Sequence, residues 1–131
     1  MKVTKILNTI GCVITIGFGL LGFLFPAQAS KLTGLVASTA SAVAEFRGTF
    51  GGAFLAAGIY PLIVRKQIVY LFTGLFWWGA AAGRILSLFA DQGFDDPRNF
   101  GGLLIEVLFG LLLVVGNLRV KVQKELPGTV H

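Results

Sequence analysis

Four long apolar stretches run along the chain, and short polar or proline-marked breaks separate them. They cover residues 6–25, 46–64, 68–89 and 100–118. Each holds about 20 residues, enough for an α-helix to cross a hydrocarbon layer of roughly 30 Å. Backbone polar groups in lipid must be satisfied within the segment, so the stretches predict helices. The pattern therefore predicts an all-α, integral membrane four-helix bundle formed as one domain by residues 1–131.

The breaks between the stretches fit this interpretation. Pro26 closes the first stretch, Arg65 and Lys66 form a very short turn before the third, and residues 91–98 are polar. The pair Asp96 and Pro97 is typical of a helix N-cap followed by proline at the first helical position.

The loop at residues 27–45 is less polar than the other breaks. Its apolar residues recur at helical spacing, which predicts a short amphipathic helix lying on the outer leaflet. These residues are Leu32, Leu35, Val36, Ala40 and Val43. The alternative is an irregular loop that caps the bundle.

Most of the basic residues fall on one of the two sides that four crossings would create. Seven of them precede the first stretch, lie between the second and third, or follow the fourth: Lys2, Lys5, Arg65, Lys66, Arg119, Lys121 and Lys124. The positive-inside rule then places both termini in the cytoplasm. A competing interpretation takes the sequence up to Ala29 as a cleavable signal peptide, although its apolar run is longer than the usual 7–15 residues.

Composition narrows the class of function. Only 13% of the residues are charged and 55% are hydrophobic, whereas soluble domains carry about 25% charged residues. The net charge of +5 is therefore interpreted as a topology signal and as attraction to membrane lipids, and no nucleic-acid partner is predicted. Cys12 is the single cysteine and His131 the single histidine, so the sequence predicts no internal disulfide, no cysteine or histidine metal site and no bis-histidine haem. No catalytic constellation can be assembled either, and no enzyme activity is predicted.

Ionisable residues within apolar spans are costly and usually face the bundle interior. Arg84 lies about five residues before the end of the third stretch, and Glu106 lies some six residues into the fourth. At 1.5 Å per residue both lie roughly 8–10 Å below the same membrane boundary, which predicts that they pair. Glu45 is expected to join them, with Arg47 at the edge of the cluster and Ser87 on the same helix face as Arg84.

Small residues surround these charges and predict close helix packing, including two G-x-x-x-G pairs. The glycines assigned to packing are Gly48, Gly51, Gly52, Gly79, Gly83, Gly102 and Gly110. Trp77 and Trp78 lie near mid-span, where they either pack in the core or form an aromatic wall for a flat ligand.

Several motifs together resemble a known family. Residues 45–52 give E-x-R-G-x-x-G-G, residues 83–87 give G-R-x-x-S, and Glu106 follows in the last span. The combination resembles a family of small bacterial four-helix membrane proteins catalogued as a domain of unknown function and similar in architecture to the DoxX-like proteins. The resemblance implies a multi-pass protein of the bacterial cytoplasmic (inner) membrane. Some DoxX-like proteins are subunits of quinone-linked oxidoreductases, which implies a quinone or lipid pocket or an accessory role.

Three interpretations of the polar cluster remain open at this stage. The ions could fix helix register without chemistry, form the floor of a pocket for a quinone, sterol or lipid, or relay protons. The sequence thus predicts a non-enzymatic accessory subunit of a larger membrane complex, or a binder of a lipophilic ligand, with self-association as a further possibility. The alternative is a small proton-coupled multidrug-type transporter that uses Glu106.

Overall fold

The computed structural model describes residues 2–118, apart from the side chain of Lys2. These residues form six α-helices in order: α1 (Lys2–Leu24), α2 (Pro26–Thr33), α3 (Ala40–Phe46), α4 (Phe54–Val64), α5 (Gln67–Ala90) and α6 (Pro97–Val115). A π-helical segment, Arg47–Ala53, joins α3 to α4, and a single 3₁₀ turn, Gly93–Asp95, precedes α6. The prediction that both termini are cytoplasmic also used three basic residues that lie outside the described residues: Arg119, Lys121 and Lys124.

Within residues 2–118, four helices are long and apolar enough to cross a membrane, as the sequence predicted. They are Val3–Leu24, Ala40–Val64, Gln67–Ala90 and Pro97–Val115. The second begins earlier than the predicted residue 46 because an alanine-rich turn precedes it and the Thr39 hydroxyl accepts a hydrogen bond from the Ala42 N–H at 3.1 Å. The last helix begins at Pro97 because Asp96 caps it by accepting from the Arg98 N–H at 2.9 Å. Which end of the bundle faces the cytoplasm stays a prediction from the positive-inside rule.

The loop between the first two spans contains a helix, but in a different place from the one predicted. Helix α2 begins directly after the first span, with Pro26 at its first position, and it ends at Gly34 in the left-handed conformation (φ 80°). Residues 34–39 are not helical, whereas Ala40 and Val43 belong to the second span. The expectation of one amphipathic helix running through Leu32 to Val43 is therefore wrong, because the left-handed glycine interrupts it.

The spans assemble as two antiparallel pairs, α1 with α4 and α5 with α6, which then pack on each other. An aromatic core of Phe54 and Trp77, with Leu113, lies where the pairs meet. Buried polar side chains also tie helices together across these contacts. The Trp77 indole donates to the Thr15 hydroxyl at 2.9 Å, and the Thr73 hydroxyl donates to the Ala57 carbonyl at 2.8 Å.

The two ends of the bundle differ in charge. We call the end where α1 begins, where the α4–α5 turn lies and where α6 ends the basic end, because Lys5, Arg65 and Lys66 lie there. The opposite end carries α2 and the α5–α6 turn.

The glycines predicted to mediate packing divide into two groups. Gly51, Gly102 and Gly110 contact a neighbouring helix: a Cβ built on Gly51 would lie 2.7 Å from the Phe23 backbone, and one on Gly110 would lie 1.9 Å from Cδ1 of Trp78. The prediction fails for the others, because they turn away from the neighbouring helices. A Cβ on Gly48, Gly79 or Gly83 would meet nothing within 4 Å, and one on Gly52 would meet only the Arg47 carbonyl of the same segment. Neither G-x-x-x-G pair, Gly48/Gly52 or Gly79/Gly83, therefore mediates packing between helices of this bundle.

Candidate functional site

A cavity of about 230 Å³ lies between the helices in the half opposite the basic end. Helix α2 contributes Leu32 and Thr33 to its wall, so the cavity lies beneath this short helix. Its remaining lining residues come from all four spans: Phe18, Phe50, Phe54, Trp77, Arg84, Arg98, Gly101, Gly102, Ile105 and Glu106. Aromatic and aliphatic side chains thus form most of the wall, and its charged residues are two arginines and one glutamate.

Arg84 and Glu106 form a bidentate ion pair on this wall. Nε of Arg84 donates to both carboxylate oxygens at 3.1 Å, and Nη2 donates to Oε1 at 2.9 Å. The side chains are 20% and 9% exposed, respectively. A charged pair this well buried requires good geometry, which the planar fork of the guanidinium provides here.

Gly102 creates the space that the guanidinium occupies. A Cβ at this position would lie 2.5 Å from Cζ of Arg84 and 2.7 Å from its Nε and Nη2. The absence of a side chain at residue 102, one turn before Glu106, therefore lets Arg84 lie flat against α6 and reach the carboxylate.

Replacing Gly102 with alanine is expected to displace the Arg84 side chain and to lower the free energy of unfolding by about 1–3 kcal/mol, as overpacking commonly does. Gly101→Ala is the matched control, because a Cβ there meets nothing within 4 Å, and it should be neutral or stabilising by up to about 1 kcal/mol. Thermal unfolding of both variants in the same detergent measures the difference. Equal stability of the two variants would contradict the role given to Gly102.

Asn99 extends the pair into a network that the sequence argument missed. Its Oδ1 accepts from Nη1 of Arg84 at 3.2 Å, and its Nδ2 donates to the Gly93 carbonyl at 2.8 Å. Asn99 precedes Glu106 by seven residues, a spacing that puts both on one face of α6. That spacing was the signal in the sequence that could have identified it.

Arg98 lies at the rim of the cavity and forms a second ion pair, with Asp96. Its Nη2 contacts Oδ2 of Asp96 at 2.6 Å, and the two side chains are 50% and 37% exposed. The hydrogen bonds from Arg98 hold the pKa of Asp96 at about 2, so Asp96 remains ionised at neutral pH. Each arginine on the cavity wall thus has a carboxylate partner.

The other predicted members of the polar cluster lie elsewhere. The Glu45 side chain is exposed, so the expectation that it faces inward and joins Arg84 is wrong. The guanidinium of Arg47 donates instead to the Phe23 carbonyl, one of the carbonyls left without an intrahelical partner where α1 ends. Ser87 is half-buried, and its carbonyl accepts the Asp91 N–H at 3.0 Å where α5 ends.

Only one of the two tryptophans lines the cavity. Trp77 is 2% exposed and packs edge-on against Phe18 and Phe54, with ring centroids 5.5 and 5.1 Å apart. Trp78 packs on Gly110 instead, and its Nε1 lies 3.4 Å from the Val107 carbonyl. Because consecutive residues on a helix point in different directions, Trp78 forms no common wall with Trp77.

Comparison with known proteins assigns the chain to a family. The model of a domain of unknown function, DUF4345, matches residues 3–116. The chain belongs to this family. The same comparison found no curated protein and no solved structure that matches the chain.

In this DUF4345 member, the segment 45–52 that carried the resemblance coincides largely with the π-helical segment. Insertions of this kind occur frequently at functional sites, because they redirect side chains that a regular helix would place elsewhere. Phe50 of this segment lines the cavity, and Gly51 packs against the backbone of α1. The sequence motif therefore shapes one wall of the cavity, while its acidic residue, Glu45, lies outside it.

Proposed function

We propose that the protein binds a lipophilic molecule with an uncharged, hydrogen-bond-accepting head, such as a quinone, in the cavity beneath α2. The observation that carries this proposal is the Arg84–Glu106 ion pair on the wall of a cavity that is otherwise mainly aromatic and aliphatic. Apolar pockets with a few convergent polar groups are the usual form of small-molecule sites in proteins.

The charge balance of the wall favours an uncharged head. Arg84 is neutralised by Glu106 and Arg98 by Asp96, so an anionic or cationic ligand would leave one charge uncompensated in a poorly hydrated site. Arg84 has five N–H donors, and its bonds to Glu106 and Asn99 use three of them. The remaining two can donate to a carbonyl oxygen of the ligand.

The volume and the rings of the cavity favour a single flat ring over a larger head. At about 230 Å³ the cavity lies below the 300–1,000 Å³ range of drug-sized sites. The rings of Phe50 and Phe54 stack with centroids 4.9 Å apart beside Trp77, and they offer aromatic surface to such a ring. A long isoprenoid or acyl tail would leave the cavity toward the lipid.

We place this protein in the bacterial inner membrane, with the cavity at its outer side. A bound quinone there fits an accessory subunit of a larger membrane complex. The ion pair supports binding over proton-coupled transport, because a neutral Glu106 would leave the partly buried Arg84 guanidinium without the charge that compensates it.

Tryptophan fluorescence tests the proposal directly. In the Trp78→Phe variant Trp77 is the only tryptophan, and it lies in the cavity wall. Titration with a decyl-substituted benzoquinone is expected to quench this fluorescence saturably, because a bound quinone would contact the indole. Native mass spectrometry of the protein purified in mild detergent would identify a lipid that occupies the cavity instead of a quinone, or a partner protein bound to the bundle.

Two glycine variants distinguish site binding from partitioning into the detergent. Gly101 lines the cavity and Gly79 does not, and a Cβ at either residue meets nothing within 4 Å. In the Trp78→Phe background, Gly101→Leu is expected to weaken quinone binding at least about tenfold by filling the cavity, whereas Gly79→Leu should leave it unchanged. Non-saturable quenching that is equal in both variants would overturn the quinone assignment.

A further inference from the structure

A second, polar groove opens at the basic end of the bundle, far from the cavity described above. It consists of two adjoining cavities of about 480 and 300 Å³ that share Lys5, Asn8, Arg65 and Tyr70. Thr9 and Leu62 complete the first, and Thr4, Gln67, Gly116 and Asn117 complete the second. The groove thus runs across the start of α1, the α4–α5 turn and the end of α6.

The groove differs in its charge from the cavity beneath α2, which we call the outer cavity. Lys5 and Arg65 supply two exposed cations to it. The acidic residues among residues 2–118 all lie toward the opposite end: Glu45, Asp91, Asp95, Asp96 and Glu106. The two arginines of the outer cavity have carboxylate partners, whereas the described part of the chain offers none to Lys5 or Arg65. This groove therefore attracts an anion.

Local backbone structure fixes one of the two cations. Arg65 ends α4 in the left-handed conformation, with φ 55°, and its N–H donates to the Pro61 carbonyl at 2.8 Å. Its Nε donates to the Leu62 carbonyl at 3.1 Å. The guanidinium is thus held at the turn by one donor, and its two terminal nitrogens can bind an anion in a bidentate manner.

The floor of the groove is closed by an amide pair. Nδ2 of Asn8 donates to Oδ1 of Asn117 at 3.1 Å, and Nδ2 of Asn117 donates back at 2.7 Å. Both side chains are buried. An anion would therefore lie above this pair, where Lys5, Arg65 and the half-buried Tyr70 surround it.

We propose that the groove binds the phosphodiester head of an anionic membrane lipid such as phosphatidylglycerol. It lies at the level where the apolar spans end, which is the phosphate layer of a bilayer, and basic pockets between helices are suited to such heads. On three helices an exposed apolar residue follows a groove-lining residue in the chain: Ile6 on α1, Ile63 on α4 and Ile68 on α5. One lipid molecule can then satisfy the cations with its head and these side chains with its acyl chains.

Thermal unfolding of the delipidated protein in mild detergent tests the proposal, because a ligand of the native state raises the unfolding temperature in a concentration-dependent way. Phosphatidylglycerol is expected to give a saturable increase, and phosphatidylcholine a much smaller one because its head has no net charge. Inorganic phosphate alone should give none, since it lacks the acyl chains. An equal increase with inorganic phosphate would overturn the assignment to a lipid.

Comparing Arg65→Gln with Lys66→Gln distinguishes lipid binding in the groove from non-specific attraction between the basic end and anionic lipid. Lys66 carries the same charge as Arg65 but does not line the groove. Each groove cation is expected to account for about fivefold in affinity for phosphatidylglycerol, because each would form a direct, exposed ion pair with the phosphodiester. Lys5→Gln and Arg65→Gln should therefore each weaken binding about fivefold, and the double variant about 25-fold.

Lys66→Gln should change the affinity by less than about twofold. Equal effects of Lys66→Gln and Arg65→Gln would overturn the proposal, as would an undiminished affinity of the double variant. Unfolding without lipid shows whether each variant is folded, and if the double variant is not, the single Lys5→Gln variant decides the question. The test is independent of the quinone proposal, because none of these residues lines the outer cavity.

Discussion

Replacing Arg84 with alanine is expected to lower the free energy of unfolding by about 3–5 kcal/mol. The change leaves the Glu106 carboxylate, whose side chain is only 9% exposed, without the guanidinium that neutralises it. It also removes three hydrogen bonds to that carboxylate and one to Asn99. Reversible unfolding in mixed detergent micelles measures the loss.

A second substitution shows whether the loss comes from the unpaired charge. Adding Glu106→Gln to Arg84→Ala should recover part of the stability, because an amide in this position carries no charge to be buried. Arg98→Ala is the matched control, because it also removes an arginine from the wall of the same cavity. Its ion pair with Asp96 is half exposed, so little change is expected. A double variant no more stable than Arg84→Ala alone would show that the two residues are not energetically coupled.

The second large effect is expected for Gly51→Ala, which should destabilise the bundle by about 1–3 kcal/mol. The added methyl group would lie 2.7 Å from both the amide nitrogen and Cα of Phe23. Backbone atoms cannot move aside as a side chain can, so α1 and the π-helical segment would have to separate. Phe50 lies next to Gly51 and lines the cavity, and quinone binding should therefore weaken as well.

Gly48→Ala is the matched control, since it makes the same chemical change in the same π-helical segment. Its Cβ would meet nothing within 4 Å, and alanine restricts the unfolded chain more than glycine does. We expect this variant to be neutral or up to about 1 kcal/mol more stable. Destabilisation of both variants by the same amount would mean that the π-helical backbone, and not the contact with α1, requires glycine.

The prediction made for the E-x-R-G-x-x-G-G motif was correct for some of its residues and wrong for others. The sequence indicated that small residues here serve packing, and Gly51 does, but Gly48 and Gly52 turn away from the neighbouring helices. The reason is the π-helical segment, which adds residues to each turn and rotates the faces that regular helical spacing would predict. Glu45 is exposed although regular spacing places it with the glycines.

The pairing of Arg84 with Glu106 illustrates the opposite case. Their distances from the ends of their spans place both at one depth, and the cost of a lone charge in the membrane interior favours a partner. The structure contains this pair. The contact with Asn99 and the space that Gly102 leaves for the guanidinium do not follow from depth, because both depend on how α5 and α6 are rotated about their axes.

The four span-length helices within residues 2–118 could be predicted from the amino-acid sequence, because the length of a span and the need to satisfy backbone hydrogen bonds are local properties. The sequence also determined which charges share a depth, since helical rise is constant. Which residues come into contact depends on the packing of the helices. The rotation of each helix, the π-helical segment and the position of α2 result from side-chain packing between distant parts of the chain, and these together create the cavity and the basic groove.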